Sequence, residues 1–417
     1  MKRYLPQVVL AVCVLLTIVI ITVTPIGIAS PYKILDTMGL RCNEVGFSPH
    51  IYGYAEKSPA LTSVHSFLVA VMRWGGEFNL RALGVIYGLL LCVGLVLISF
   101  FGSSEKYKSA NWILVGLLFF AFVDFAYTEY LNSLYVIPLV MTLFLICIGV
   151  RLSTMTTARL IILAGLVALL IVSGSVTGAM MGIAIAISMI DLKKKLSLIL
   201  AVGLAVGGVC GVIGVREANY EVDIYNSVFH GVARHASVTE LGLPVEMDKL
   251  AGTFHSGEYN AEFYENISYG KILKFYITHP SAFLSEIGDA TLNGANVRVY
   301  GASNYTWGGE AKWLSLYSGI KCRILPKGIS LIFAVLVFAG VNIKLKRKGV
   351  WFPMIVLSAL ALVLLVVPVI LSGKAEIGSS LYGFNIVTDC MIIAAIVGGI
   401  RVYSDYSNGL REKYGIK

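Results

Sequence analysis

Two carboxylates and an amide share one short stretch of the 417-residue chain, Asp124-Phe-Ala-Tyr-Thr-Glu129-Tyr-Leu-Asn132-Ser-Leu-Tyr135. A carboxylate in such a segment can take a proton from an acceptor hydroxyl. It can also hold a divalent cation that neutralises a phosphate. On a helix, positions 124, 128 and 131 share one face, and Glu129 and Asn132 share another. The plainer alternative is that Asp124 caps a helix and Glu129 is solvated. A third carboxylate, Asp36, follows the first apolar run by about a dozen residues. Asp389 sits inside the last apolar run beside Cys390, and a buried carboxylate there needs a partner.

The cations that accompany these acids are Lys33, Arg41, Arg73, Arg81, Arg298 and Lys374. An arginine can grip two phosphate oxygens at once; the competing role for each is to snorkel to a lipid headgroup. Asn293, Asn296, Tyr300 and Trp307 surround Arg298 in sequence. Aromatic and amide side chains together suit a sugar. His230 and His235 flank Arg234 and are able to face a site, the plainer alternative being hydrogen-bonded surface histidines.

The elements that must position these groups are apolar. The chain is 57% hydrophobic and 14% charged, which excludes an ordinary soluble domain. Apolar runs fall at about 5–25, 82–101, 110–126, 134–150, 159–174, 177–190, 196–214, 328–344, 351–371 and 383–401. A run of about 20 apolar residues crosses the hydrocarbon core as a helix. We expect an all-α polytopic membrane protein with about ten spans, the first of them uncleaved. With the N-terminus inside, every short inner loop is basic: Lys106 and Lys108, Arg151 and Arg159, Lys193–Lys195, Lys344–Lys348, and the tail from Arg401 to Lys417. That pattern obeys the positive-inside rule and absorbs much of the +9 net charge, so nucleic acid is not an expected partner and the lipid bilayer is. Both termini are expected in the cytoplasm of a bacterial inner membrane, with the working face outside.

Three regions follow. Residues 1–214 carry seven spans and a first outer loop (26–81), residues 215–327 form a small extracytoplasmic domain, and residues 328–417 carry three spans and a tail. All six histidines lie in the outer segments. Ala60–Trp74 reads as an amphipathic interface helix, with Leu61, Val64, Phe67, Leu68, Val71 and Met72 at helical spacing. Tyr269–Tyr276 and Ala282–Ile287 read as helices broken at His279-Pro280, and Ala290–Gly309 as loop. Of seven cysteines, Cys42 and Cys322 fall outside and are able to pair in an oxidising compartment or to stay free. No Cys/His cluster suggests zinc, and no Walker loop suggests ATP-driven work.

The architecture resembles the GT-C class of integral membrane glycosyltransferases. Four stretches look like the bacterial hexosyltransferases that build surface-layer and cell-wall polysaccharides: Asp124–Pro138 (DFAYTEYLNSLYVIP), Tyr225–Gly252 (YNSVFHGVARHASVTELGLPVEMDKLAG), Tyr264–Pro280 (YENISYGKILKFYITHP) and Leu381–Asp389 (LYGFNIVTD). The chain departs from that pattern at Ser30–Lys33, where an acid is expected and the nearest is Asp36, and at Ser379-Ser380, where a basic residue is expected. The resemblance implies an inverting transfer from a polyprenyl-phosphate-linked sugar to a glycan acceptor. It makes Asp36, Asp124 and Glu129 catalytic candidates. Lys33, Arg41, Asn132, Tyr135, His230, Arg298 and Trp307 become candidates for substrate binding. No cofactor is required, with a divalent cation left open. Alternatives are a polymerase or ligase acting on lipid-linked glycans, a flippase of lipid-linked sugars, and a non-catalytic assembly partner.

Overall fold

The computed structural model describes residues 4–24, 27–28, 38, 40–42, 52–55, 63–74, 77–191, 194–251, 259–294, 316–324, 351–373 and 380–414. Four helices are long and apolar enough to cross a membrane: α1 (Leu5–Val23), α3 (Leu80–Gly102), the Lys195–Val215 part of α9 (Lys195–Phe229), and the Tyr382–Asn408 part of α15 (Tyr382–Tyr414). A fifth candidate is bent by 52°, where α4 (Lys108–Phe122) breaks before α5 (Phe125–Thr128) and the 3₁₀ turn Glu129–Asn132. Shorter apolar helices are α6 (Ile137–Leu152), α7 (Thr157–Ile171), α8 (Val176–Ser188) and the Ile355–Leu371 part of α14 (Trp351–Ser372). The expected span at 328–344 lies outside the described residues.

α3 and α6 form the most extensive helix pair, flanked by α1 on one side and by α7 and α8 on the other; α14 and α15 close the bundle against α8 and α4. Small residues permit the α3–α6 approach. A Cβ on Gly94 would stand 3.0 Å from the Leu145 Cβ, and one on Gly149 would stand 2.6 Å from that of Leu97. In lipid, where tails are as apolar as leucine, such close packing is a main source of helix affinity.

The segment between α1 and α3 departs from the all-α expectation. It holds a four-stranded antiparallel sheet in the order β1-β2-β4-β3, from β1 (Leu40–Cys42), β2 (Tyr52–Ala55), β3 (Arg73–Trp74) and β4 (Glu77–Asn79). The helix expected over Ala60–Trp74, α2, is correspondingly shorter, at Val64–Val71. A reciprocal Ser63–Ser66 capping box starts it. Arg73–Trp74 leave it to pair with Glu77–Phe78, strands joined in sequence by Gly75-Gly76, a hairpin signal.

The segment expected from residue 215 begins without a break, because α9 runs on past the expected boundary at 214 to Phe229. Three short 3₁₀ turns follow, then α10 (Tyr259–Asn266), α11 (Tyr269–Thr278) and α12 (Pro280–Gly294). The break at His279-Pro280 falls where the sequence places it, but α12 extends into the stretch expected as loop. This segment has its own core around Ile224, Val228, Leu241, Met247, Phe263 and Ile272. It seats on the bundle where Ser227 Oγ donates to the Leu371 carbonyl at 2.7 Å. There Gly373, at φ +52°, lies so close that a Cβ would meet the His230 backbone at 2.5 Å, a position only glycine fills without strain. A further helix, α13 (Leu316–Ile324), packs against α4.

Candidate functional site: a buried polar cluster at one end of the bundle

The break after α4 is built by Asp124. Its Oδ1 accepts from the Ala126 backbone N–H at 2.9 Å and caps α5. The same carboxylate also receives the start of α13. Oδ2 accepts from the backbone N–H groups of Tyr317 (2.9 Å) and Ser318 (3.3 Å), and Ser318 Oγ donates to Oδ1 at 3.0 Å. One acid thus ends two helices whose first N–H groups would otherwise lack partners. The capping role considered for Asp124 is the one its contacts fill, and it does so twice.

One turn further along, α13 meets Asp389 of α15. Lys321 Nζ stands 2.9 Å from Asp389 Oδ1 and 3.2 Å from Oδ2, and donates to Asn385 Oδ1 at 2.7 Å. Tyr127 of α5 donates to Oδ2 at 2.7 Å, and Tyr317 donates to Oδ1 at 2.8 Å. The side chains of Lys321 and Asp389 are 4% and 0% exposed. Asp389 therefore has the partner that its position demanded, and each of its oxygens is engaged. Removing one member of such a buried pair typically costs about 3–5 kcal/mol, because the other charge is left stranded.

Glu129 is fully buried on the 3₁₀ turn, and Asn132 is nearly so, donating to the Ile21 carbonyl at 3.1 Å. Tyr135 is half-buried and meets Tyr130 edge-on at 5.8 Å. Nearby, the buried His65 ring bridges Tyr87 Oη on Nδ1 and the Leu134 carbonyl on Nε2, both at 2.8 Å. A carbonyl only accepts, so Nε2 carries the proton and Tyr87 donates to Nδ1. Burial holds the His65 imidazole below its ordinary pKa, partly offset by the bond to Leu134.

A second charged cluster joins the 3₁₀ turn after α9 to α12. Glu286, 1% exposed, accepts from Arg234 at 2.5 Å and meets His235 Nε2 at 2.6 Å; Arg234 also donates to Asp289 at 3.0 Å. His230 is not part of it: that residue is exposed, with its ring 6.3 Å from that of Tyr225.

The structure therefore gathers Asp124, Glu129, Asn132 and Tyr135 at one end of the bundle, and leaves His230 apart. Asp36, Lys33, Arg298 and Trp307 lie outside the described residues. Arg41 is described only as backbone in β1, so its side chain has no described place, and neither have those of Cys42 and Cys322. Among the described residues, no three His, Cys, Asp or Glu side chains gather as metal ligands. Sequence reasoning missed Lys321. The signal was present as Tyr317, Ser318 and Lys321 at helical spacing opposite Asn385 and Asp389, also four apart, so that each helix offers one polar face.

The family model of the YfdI N-terminal transmembrane domain matches residues 1–415. The chain belongs to that family. It is a multi-pass membrane protein, as the apolar helices independently indicate. No curated protein matches this YfdI-type chain, and no solved structure matches it.

Proposed function

We propose that this YfdI-family protein is a membrane glycosyltransferase that moves a sugar from a polyprenyl-phosphate donor to a glycan or lipid-linked acceptor. On this reading it works on the outer face of a bacterial inner membrane, on a ten-span, GT-C-like scaffold with both termini in the cytoplasm. The observation that carries the proposal is the placement of buried charge. Among the described residues, the buried charged side chains are Asp124, Glu129, Glu286, Lys321 and Asp389. All five lie at, or on the segment seated upon, the end opposite the basic loops. Charge within lipid is costly and tends to mark function. A route through the bundle, as a flippase needs, would spread charged groups from end to end; the buried charges here gather near one face.

On this reading an acid and cations share the work. A carboxylate removes the proton from the acceptor hydroxyl, whose oxygen attacks the anomeric carbon. The bond from that carbon to the phosphate oxygen breaks, and its electron pair leaves with the phosphate, held by cations. Asp124 and Asp389 are committed to helix caps and to Lys321. The base role therefore goes to Asp36 or Glu129, with Lys33, Arg41 and Arg298 on the phosphate and Asn132, Tyr135 and Trp307 on the sugars. Asp124 positions the segment that carries Glu129.

The test is transfer from a synthetic polyprenyl-phosphate hexose by purified protein in lipid discs. D36N or E129Q should lower transfer by about a hundredfold or more while leaving the melting temperature within a few degrees. Full activity in both variants would sink the assignment. A bound pyrophosphate-linked oligosaccharide in native mass spectrometry would replace it with the polymerase or ligase reading.

A further inference from the structure

At the opposite end of the bundle, a cleft of about 620 Å³ opens between the α6–α7 and α8–α9 connections. Arg151, Lys194 and Lys195 line it, with one carboxylate, Asp191. The Arg151 guanidinium is fixed rather than free: Nε and one amino group donate to the Ser188 carbonyl at 3.1 and 3.0 Å. That anchor leaves the other amino group without a partner among the described residues. Lys194 is held weakly, 3.4 Å from the Met155 carbonyl and 3.9 Å from Asp191. Three cations thus face one acid in a concave setting, with Arg151 half-buried and the lysines exposed.

Two further facts point to what fills it. The lysines sit at the start of α9, a 35-residue helix with no acid in its first turn and no side-chain cap. Cations at the positive end of a helix dipole repel it, and a bound anion relieves both. Below the cleft, the membrane segment of α9 is only 11% buried. Leu196, Leu198 and Ile199 of α9 and Ile161 and Ile162 of α7 expose apolar surface next to it. A phosphate bearing acyl chains satisfies both parts; a free phosphate satisfies only the first.

We propose that this cleft binds the phosphate headgroup of an anionic phospholipid whose acyl chains lie along α7 and α9. The site is separate from the polar cluster and does not depend on the transfer reaction. Its function is to anchor the α8–α9 corner to the leaflet on the basic side.

The experiment is native mass spectrometry of the full chain released from lipid discs containing equal phosphatidylglycerol and phosphatidylcholine. The wild-type protein should retain phosphatidylglycerol in preference. R151Q/K194Q/K195Q should retain at least about tenfold less. K346Q/R347Q/K348Q, which removes the same charge from another basic loop, should retain as much as wild type. Because Arg151 also braces Ser188, K194Q/K195Q serves as the variant that leaves this brace intact, and it should show a smaller loss in the same direction. Equal loss in both triple variants would reduce the effect to general surface charge and overturn the site. So would wild-type retention without headgroup preference. Displacement of the lipid by inorganic phosphate would overturn the lipid assignment, and preferential retention of polyprenyl phosphate over phosphatidylglycerol would overturn the choice of phospholipid.

Discussion

The two ends of the bundle solve the problem of charge at a membrane edge in opposite ways. At the basic end, Lys106, Arg159 and Lys194 stay in reach of water, and their contacts are single carbonyls or exposed acids such as Asp405. At the polar end the charges go inside, and two of the carboxylates are each answered by several neutral donors: Asp389 by Tyr127 and Tyr317 as well as Lys321, Asp124 by two backbone N–H groups and a serine. Rim charges are cheap to keep and contribute little. Interior charges are costly to desolvate and so fix geometry strongly once satisfied. The difference teaches that the polar end is where the fold is specified as well as where chemistry is expected. The helix that links these roles is α13, whose first turn is held by Asp124 and whose Tyr317 and Lys321 are held by Asp389.

The sharpest way to break the comparison is to strand one interior charge. K321M should destabilise the protein by about 3–5 kcal/mol, read as a large fall in melting temperature in lipid discs. The paired change K321M/D389L should recover most of that loss, because both charges go together. The matching change at the rim, K106M, should leave the melting temperature almost unchanged even though Lys106 makes a 2.7 Å ion pair with Asp405. Equal effects at the two ends would erase the distinction. A smaller effect is expected at Asp124. D124A removes the cap of α5 and the receptor of the α13 N-terminus, each worth about 1 kcal/mol. It should lower stability by about 2 kcal/mol and speed proteolysis within 316–324. Unchanged cleavage there would mean that α13 is held by Lys321 alone.

Much of this frame was legible beforehand, for physical reasons. Long apolar runs announce spans because the lipid leaves the backbone no other choice. The His279-Pro280 break is local, and its position survives in the structure. What was not legible is non-local. The pairing of Lys321 with Asp389 joins residues far apart in sequence; Asp389 could be seen to need a partner, but nothing near it supplied one. Asp124 was read correctly as an acid at a helix end, while its second task, capping α13, depends on a helix nearly two hundred residues later. The small sheet was missed because its strands are two to four residues long, too short for alternation to show.

The smallest expected effect tests whether the polar end also tolerates protonation. His65 is neutral, buried and saturated: Nε2–H donates to the Leu134 carbonyl and Nδ1 accepts from Tyr87. A second proton on the ring would set its Nδ1–H against the Tyr87 hydroxyl hydrogen and place a charge in a site that burial already disfavours. The folded-state pKa is therefore depressed. Above the ordinary value of about 6.5 the ring is neutral in both folded and unfolded chains, and stability does not depend on it. As pH falls below that value the unfolded chain takes up a proton that the folded one refuses. Stability then declines by at most about 1.4 kcal/mol per pH unit until the folded pKa is reached. Melting temperatures of wild type and H65Q between pH 8 and 5 should run parallel above 6.5 and diverge below it, with wild type falling faster. Parallel curves over the whole range would show that α2 opens to let the ring protonate. The interface helix would then belong, in its energetics, with the yielding basic rim rather than with the interior it covers.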